Sequence, residues 1–140
     1  MHKTRVDVLQ VNLGRLCNQA CLHCHVDSSP ARNKAGENAS ASLVDRILEL
    51  LEARPALQTL DLTGGAPELN PGFRRLVRGA RALGRKVLVR HNLTVMFEPG
   101  QKDLPRFFAA QEAVLFCSLP CYQPANVEKQ RGRGVYDKSI

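Results

Sequence analysis

The order in which strand-like and helix-like stretches alternate restricts this chain more than any other feature. "RVDVLQVNL" (5–13) alternates apolar and polar residues as a strand does. The polar segment 27–40, which ends in "ARNKAGENAS", reads as a loop. Leu43, Val44, Ile47, Leu48 and Leu51 then recur at helical period, with Ser40 or Ser42 as N-cap and Pro55 as the stop. The unit repeats. "LQTLDLTGG" (57–65) predicts a second strand and "NPGFRRLVRGARALG" (70–84) its helix, with Asn70 capping, Pro71 in the first turn and Gly84 past the end. "KVLVRHNL" (86–93) predicts a third strand, a helix is expected from about 103 to 111, and "AVLFCSLPCY" (113–122) predicts a fourth strand.

Such alternation specifies an α/β fold of parallel strands joined by crossovers, either a doubly wound sheet or a barrel. In both, ligands bind at the C-terminal rim of the strands. The segments just beyond the four predicted strands are a cysteine cluster, "TGGAPE", "RHN" and "SLPC". The topology therefore gathers them at one rim. Four β/α units do not close a barrel, which takes about 250 residues. The end of the chain, "GRGVYDKSI", carries no stop signal. The expectation is a truncated, partial TIM-type barrel, with the fourth strand left as an apolar edge.

With 140 residues and 44% hydrophobic content, the chain has the make-up of one globular domain with a small core. No apolar run approaches the roughly 20 residues that span a bilayer. "MHKTRVDVLQ" also lacks the apolar centre of a secretory signal. The chain reads as cytoplasmic, with no membrane partner, and in that reducing compartment clustered thiols are metal ligands or catalytic groups rather than disulfides. The net charge of +7 raises the question of nucleic acid. However, Arg74, Arg78, Arg81 and Arg85 fall at the spacing of a solvated helix face, and no aromatic residues interleave them, so nucleic acid is disfavoured as a partner.

The stretch "QVNLGRLCNQACLHCHV" (10–26) places Cys17, Cys21 and Cys24 in a C-x3-C-x2-C pattern beside His23 and His25. Soft sulfur donors on one short loop suit zinc or an iron-sulfur cluster. A structural zinc site needs a fourth ligand, which His23 or His25 could supply. On these residues alone the two readings are even. The lone C-x2-C spacing favours a cluster, because three cysteines on a cubane leave one iron open to a small molecule. "TGGAPE" offers such a molecule glycines for close backbone approach.

The pattern resembles the radical S-adenosylmethionine (SAM) enzymes, whose signature is C-x3-C-x-φ-C after the first strand. His23 occupies the φ position, usually aromatic, and Gly64-Gly65-Ala66-Pro67 is similar to the family's glycine pair followed by Glu-Pro, with Ala66 in place of glutamate and Glu68 just beyond. The resemblance implies that Cys17, Cys21 and Cys24 hold a 4Fe-4S cluster. It further implies that His23, Gly64, Gly65, Ala66, Pro67, Asn92 and Ser118 contact SAM. Residues 1–140 would then be the N-terminal portion of a radical SAM core, the remaining barrel strands and a C-terminal domain being absent. "DLTGGAPELNP", "VRHNLTVMFEPGQKDLP" and "SLPCYQPANVEKQRG" are similar to the family of radical SAM proteins of arsenosugar biosynthesis.

That resemblance implies generation of a 5′-deoxyadenosyl radical, transfer of the adenosyl group to a methylated arsenical, and an electron donor such as flavodoxin or ferredoxin. Cys121 could hold the thiophilic arsenical, although Cys121 and Cys117 also read as ordinary apolar residues. Arg131 and Gly132 either shape the loop after the fourth strand or belong to a solvated linker. His25 and His91 are assigned local hydrogen-bonding roles, with His25 the candidate for a contact behind the cluster. Two alternatives stand beside this reading: radical chemistry on a peptide or RNA base, and a zinc-stabilised nucleic-acid-binding module.

Overall fold

The computed structural model describes residues 6–140, so Arg5, the expected start of the first strand, lies outside the described residues. Strands β1 (Val8–Asn12), β2 (Thr59–Thr63), β3 (Lys86–His91) and β4 (Val114–Cys117) form one parallel sheet in the order β1-β2-β3-β4. Sequential order distinguishes the two expected architectures. A doubly wound sheet reverses direction at a switch point, whereas strands laid down in sequence without reversal follow the winding of a barrel. Each strand is shorter than the apolar stretch that predicts it, because pairing stops where the rim loops peel away. Thus "SLPCY" lies beyond β4 rather than within it.

Alternation along the strands divides the sheet into two faces. Leu9, Val11, Leu60, Leu62, Val87, Val89 and Leu115 pack into one core with helices α1 (Ala41–Ala53), α2 (Phe73–Ala82) and α3 (Leu104–Ala110). That core is centred on Phe73, which meets Phe107 and Phe108 at 6.2 Å between ring centroids. The intervening residues, among them Gln10, Asn12, Asp61, Thr63 and Arg90, occupy the other face. A parallel strand buried on both sides would read as continuously apolar; here one side is polar because it looks into an open concavity.

The helix boundaries follow local chemistry. Ser40 is the cap of α1, its Oγ accepting from the Leu43 amide at 3.2 Å, and α1 buries Val44, Ile47 and Leu51. Asn70 is not the cap of α2, contrary to the sequence expectation. A 3-10 turn, Pro67–Leu69, intervenes, and Gly72 takes the cap position. The Asn70 Oδ1 accepts from the Gly72 amide at 2.8 Å, while Nδ2 donates to the carbonyls of Leu13 (3.1 Å) and Ala39 (3.0 Å). Asn70 thus ties the end of β1 to the approach of α1. Two further helices, α4 (Pro124–Arg131) and α5 (Val135–Ser139), occupy the stretch beyond β4, for which the sequence predicts no helix. Only Val127 of α4 and Val135 of α5 are buried, so neither shows the apolar periodicity that reveals a helix in sequence. Val114 and Phe116 on β4 are exposed, as expected of an apolar edge.

Candidate functional site

The loop from Leu13 to Ser29 carries the cysteines, and its neighbours hold it on three sides. The amides of Gly65 and Ala66 donate to the carbonyls of Gly14 (2.9 Å) and Leu16 (2.8 Å). On a second side, the Asn38 Oδ1 accepts from the Leu16 amide at 3.1 Å, and Arg15 and Arg32 converge on Asp27 and Glu37. On the third, Thr94 Oγ1 accepts from Asn18 Nδ2 at 2.9 Å and from Gln19 Nε2 at 2.5 Å. Asn18 and Gln19, between the first two cysteines, and the residues flanking the cluster are therefore anchors, and the thiols are left to point inward.

They point into a cavity of about 620 Å³ at the C-terminal rim. Cys17, Cys21 and Cys24 line it with His23 and His25; β2 contributes Thr63 and the following Gly64 and Gly65, and the end of β3 contributes Arg90, His91 and Asn92. Ser118, just beyond β4, and Arg131, at the end of α4, complete the wall. The four rim segments expected to converge from the strand order do meet here. Ala66 and Pro67, expected at the cofactor, are buried and do not line the cavity, and Cys121 is also outside its wall. Cys121 Sγ instead accepts from the Gln123 amide and Asn126 Nδ2, which lower the thiol's pKa.

The three clustered thiols are unequal. Burial raises the pKa of Cys17 despite donors from Gln19 and Asn92. It also raises that of Cys21, against the opposing charge of Arg131. At Cys24 burial is outweighed by surrounding hydrogen bonds, including that of the Ser28 amide at 3.3 Å, so its pKa falls. Among the described residues no three His, Cys, Asp or Glu side chains close around a single ion.

Two glycines set the depth of the site. A Cβ on Gly65 would lie 2.4 Å from the Leu16 carbonyl oxygen, and one on Gly64, whose φ is +136°, would lie 2.6 Å from that of Gly14. The glycine pair therefore lets the loop after β2 touch the backbone of the cysteine loop. Both glycines also line the cavity, where the sequence predicts close approach to a ligand.

Asn92, expected to contact a cofactor, has its side-chain amide committed within the protein. Its Nδ2 donates to Asn18 Oδ1 (2.7 Å) and Cys17 Sγ (3.6 Å), and its Oδ1 accepts from the amides of Thr94 (3.1 Å) and Val95 (2.9 Å). His91 turns to the helix side, where Nδ1 lies 2.7 Å from Glu68 Oε1 with both side chains fully buried. Arg131, left between loop-shaping and linker by its sequence, donates from Nη1 to the Ser118 carbonyl at 2.6 Å. Gly132 ends α4 at φ +106°, a conformation that favours glycine.

Sequence reasoning passed over the polar strand face. Arg90 grips Asp61 with two bonds, Nε to Oδ1 at 3.1 Å and Nη2 to Oδ2 at 2.8 Å, and Gln10 Nε2 adds a third at 2.8 Å. The Phe116 ring lies 4.6 Å from the guanidinium carbon. The signal was available in the period-two spacing of Gln10, Asp61 and Arg90 on neighbouring strands. Chiefly through the Arg90 hydrogen bonds, the Asp61 carboxyl is held below its ordinary pKa, which stabilises the fold above the unfolded value of about 3.9 and is lost as pH falls through the lower folded value. Arg90→Ala should cost about 1–3 kcal/mol at neutral pH by leaving Asp61 buried without its cation. Chemical denaturation across pH should show the gap from the parent protein narrowing below pH ~4; a gap independent of pH would contradict this account.

Residues 11–138 match the family model of the Radical SAM superfamily. Among solved structures, SuiB of Streptococcus suis bound to S-adenosylmethionine superposes with a TM-score of 0.70 at 16% identity, over 92% of this chain and 28% of that one. SuiB bound to its precursor peptide SuiA gives 0.69 at 15% identity over the same shares. At these identities the likeness concerns the fold, and the chain spans little more than a quarter of SuiB. No curated protein matches the sequence.

Proposed function

The chain belongs to the Radical SAM superfamily, and from that premise we propose that Cys17, Cys21 and Cys24 hold a 4Fe-4S cluster whose open iron takes SAM. The observation that carries this reading is the convergence of three thiols from one loop on a cavity also walled by Gly64, Gly65, His23 and Ser118. Together, bound cluster and SAM supply reductive cleavage of the sulfonium and a 5′-deoxyadenosyl radical.

The protein's own residues prepare that chemistry. Thr94, Asn38 and the backbone of Gly65 and Ala66 fix the cysteine loop. Arg131 places positive charge beside Cys21, opposing the rise that burial imposes on the thiol's pKa. His23 offers a flat ring on the cavity wall, and Ser118 is held at the rim by the hydrogen bond its backbone N-H donates to the His91 carbonyl at 2.9 Å. Gly64 and Gly65 leave SAM the main chain rather than a side chain to meet, and the Ala66 amide ties that turn to the Leu16 carbonyl. The polar face of Gln10, Asn12 and Arg90 forms the floor on which a substrate would rest.

For the substrate we favour a methylated arsenical, receiving the adenosyl group in arsenosugar biosynthesis in the cytoplasm, with flavodoxin or ferredoxin as electron donor. This rests on the sequence resemblance over the cysteine loop and the three later rim segments. A peptide substrate is the second reading, favoured by the likeness to SuiB, one structure of which holds its precursor peptide. Oxygen-free reconstitution with iron and sulfide should yield a brown protein containing both elements, and SAM should perturb the spectrum of its reduced form. A colourless protein holding one tight zinc would refute the reading. Product analysis with methylated arsenite and with peptide then separates the two substrates.

A further inference from the structure

We propose that Asn92 is a positioning residue that sets the electron affinity of the bound cluster through its hydrogen bond to Cys17, an inference that rests on the cluster assignment above. Sulfur ligands that accept N-H bonds give up electron density to the donor, which stabilises the more negative, reduced state of a cluster and raises its potential. The three cysteines receive such bonds unevenly. Cys17 accepts from the Gln19 amide at 3.4 Å and from Asn92 Nδ2 at 3.6 Å, and Cys24 accepts from the Ser28 amide at 3.3 Å. Cys21 accepts none among the described residues and itself lies 3.4 Å from the Gln19 Oε1. Asn92 is thus, among the described residues, the one side-chain N-H donor to any of the three.

Its geometry suits that role. A primary amide has two N-H donors and a carbonyl with two lone pairs, and all four capacities of Asn92 are filled by Asn18, Cys17, Thr94 and Val95. The side chain cannot rotate away from Cys17 without abandoning bonds at its other end. Burial removes competing water, which strengthens the N-H bond to sulfur. The result is a fixed dipole, supplied from the end of β3, aimed at the most buried of the three thiols.

The test compares the midpoint potential of the reconstituted cluster in the parent protein and in Asn92→Ala, Asn92→Asp and Thr94→Val. Asn92→Asp keeps an acceptor for the Thr94 and Val95 amides and removes the donor but adds a negative charge, so Asn92→Ala, which adds none, decides the outcome. Thr94→Val loosens the hold on Asn18 and Gln19 and removes the 3.4 Å hydroxyl contact to Asn92 Oδ1, but keeps the backbone amide that Oδ1 accepts from and both N-H donors to Cys17. Both Asn92 variants should move the potential to more negative values, so that the reduced fraction at a fixed intermediate potential falls severalfold. Thr94→Val should lower iron retention and leave the potential where it was. Unchanged potentials in the Asn92 variants, or an equal displacement by Thr94→Val, would overturn the proposal while the cluster assignment stands. A parent protein that binds no cluster overturns both.

Discussion

Cys21→Ala is expected to reduce iron and sulfide bound after oxygen-free reconstitution by at least about tenfold, since each of three irons depends on one thiolate and loss of one leaves a second iron open. The protein should remain folded. Cys21 is half-buried, sits outside the apolar core, and its one side-chain hydrogen bond runs to Gln19, which Thr94 holds independently. Far-UV dichroism should therefore overlay that of the parent while the visible absorption disappears. Cys117→Ala and Cys121→Ala provide the contrast, because neither thiol lines the cavity. Both should retain the full complement of iron. Equal loss in all three variants would mean adventitious iron on exposed sulfur, and full retention in Cys21→Ala would remove Cys21 from the ligand set.

What could be read from the chain before folding was set by how local each signal is. The four strands and first three helices announce themselves because their side chains repeat at the period of the element that buries them, as Val44, Ile47 and Leu51 do. The grouping of cysteines with "TGG" and Ser118 follows from topology alone, since parallel strands present all their C-terminal ends at one rim. Asn70 reads as a cap because a cap and a tie between distant carbonyls call for the same residue, and only the positions of Leu13 and Ala39 distinguish them. Asn92 reads in sequence as a rim residue free to meet a ligand. Its commitment to Cys17 and Asn18 depends on contacts 75 and 74 residues apart. Helix α4 left no periodic trace, yet the Gln130 carbonyl accepts from the Leu22 amide at 2.9 Å and Arg131 reaches the cavity. The wall it supplies was invisible for the same reason the helix was.

Gly65→Ala is expected to be strongly damaging for so small a substitution, and its effect should reach the cysteines although no thiol is altered. The added methyl would meet the Leu16 carbonyl oxygen at 2.4 Å and its carbon at 2.9 Å. Both are backbone atoms, which cannot yield by changing rotamer, so the two loops must separate. Separation stretches the bonds from the Gly65 amide to Gly14 and from the Ala66 amide to Leu16, the ties that hold the start of the cysteine loop against β2. Overpacking of this kind costs about 1–3 kcal/mol, and loss of two partly buried backbone bonds adds about 1 kcal/mol each. A control is available within the same protein. A Cβ on Gly36 meets nothing within 4 Å, and that residue's φ is not positive. Denaturant unfolding should place Gly36→Ala close to the parent and Gly65→Ala well below it. After reconstitution under conditions where each remains folded, iron content should fall in Gly65→Ala alone, because displacement at Leu16 moves the adjoining Cys17 out of register with Cys21 and Cys24. If Gly65→Ala retained parental stability and iron, the close backbone approach would not be what holds the site in shape.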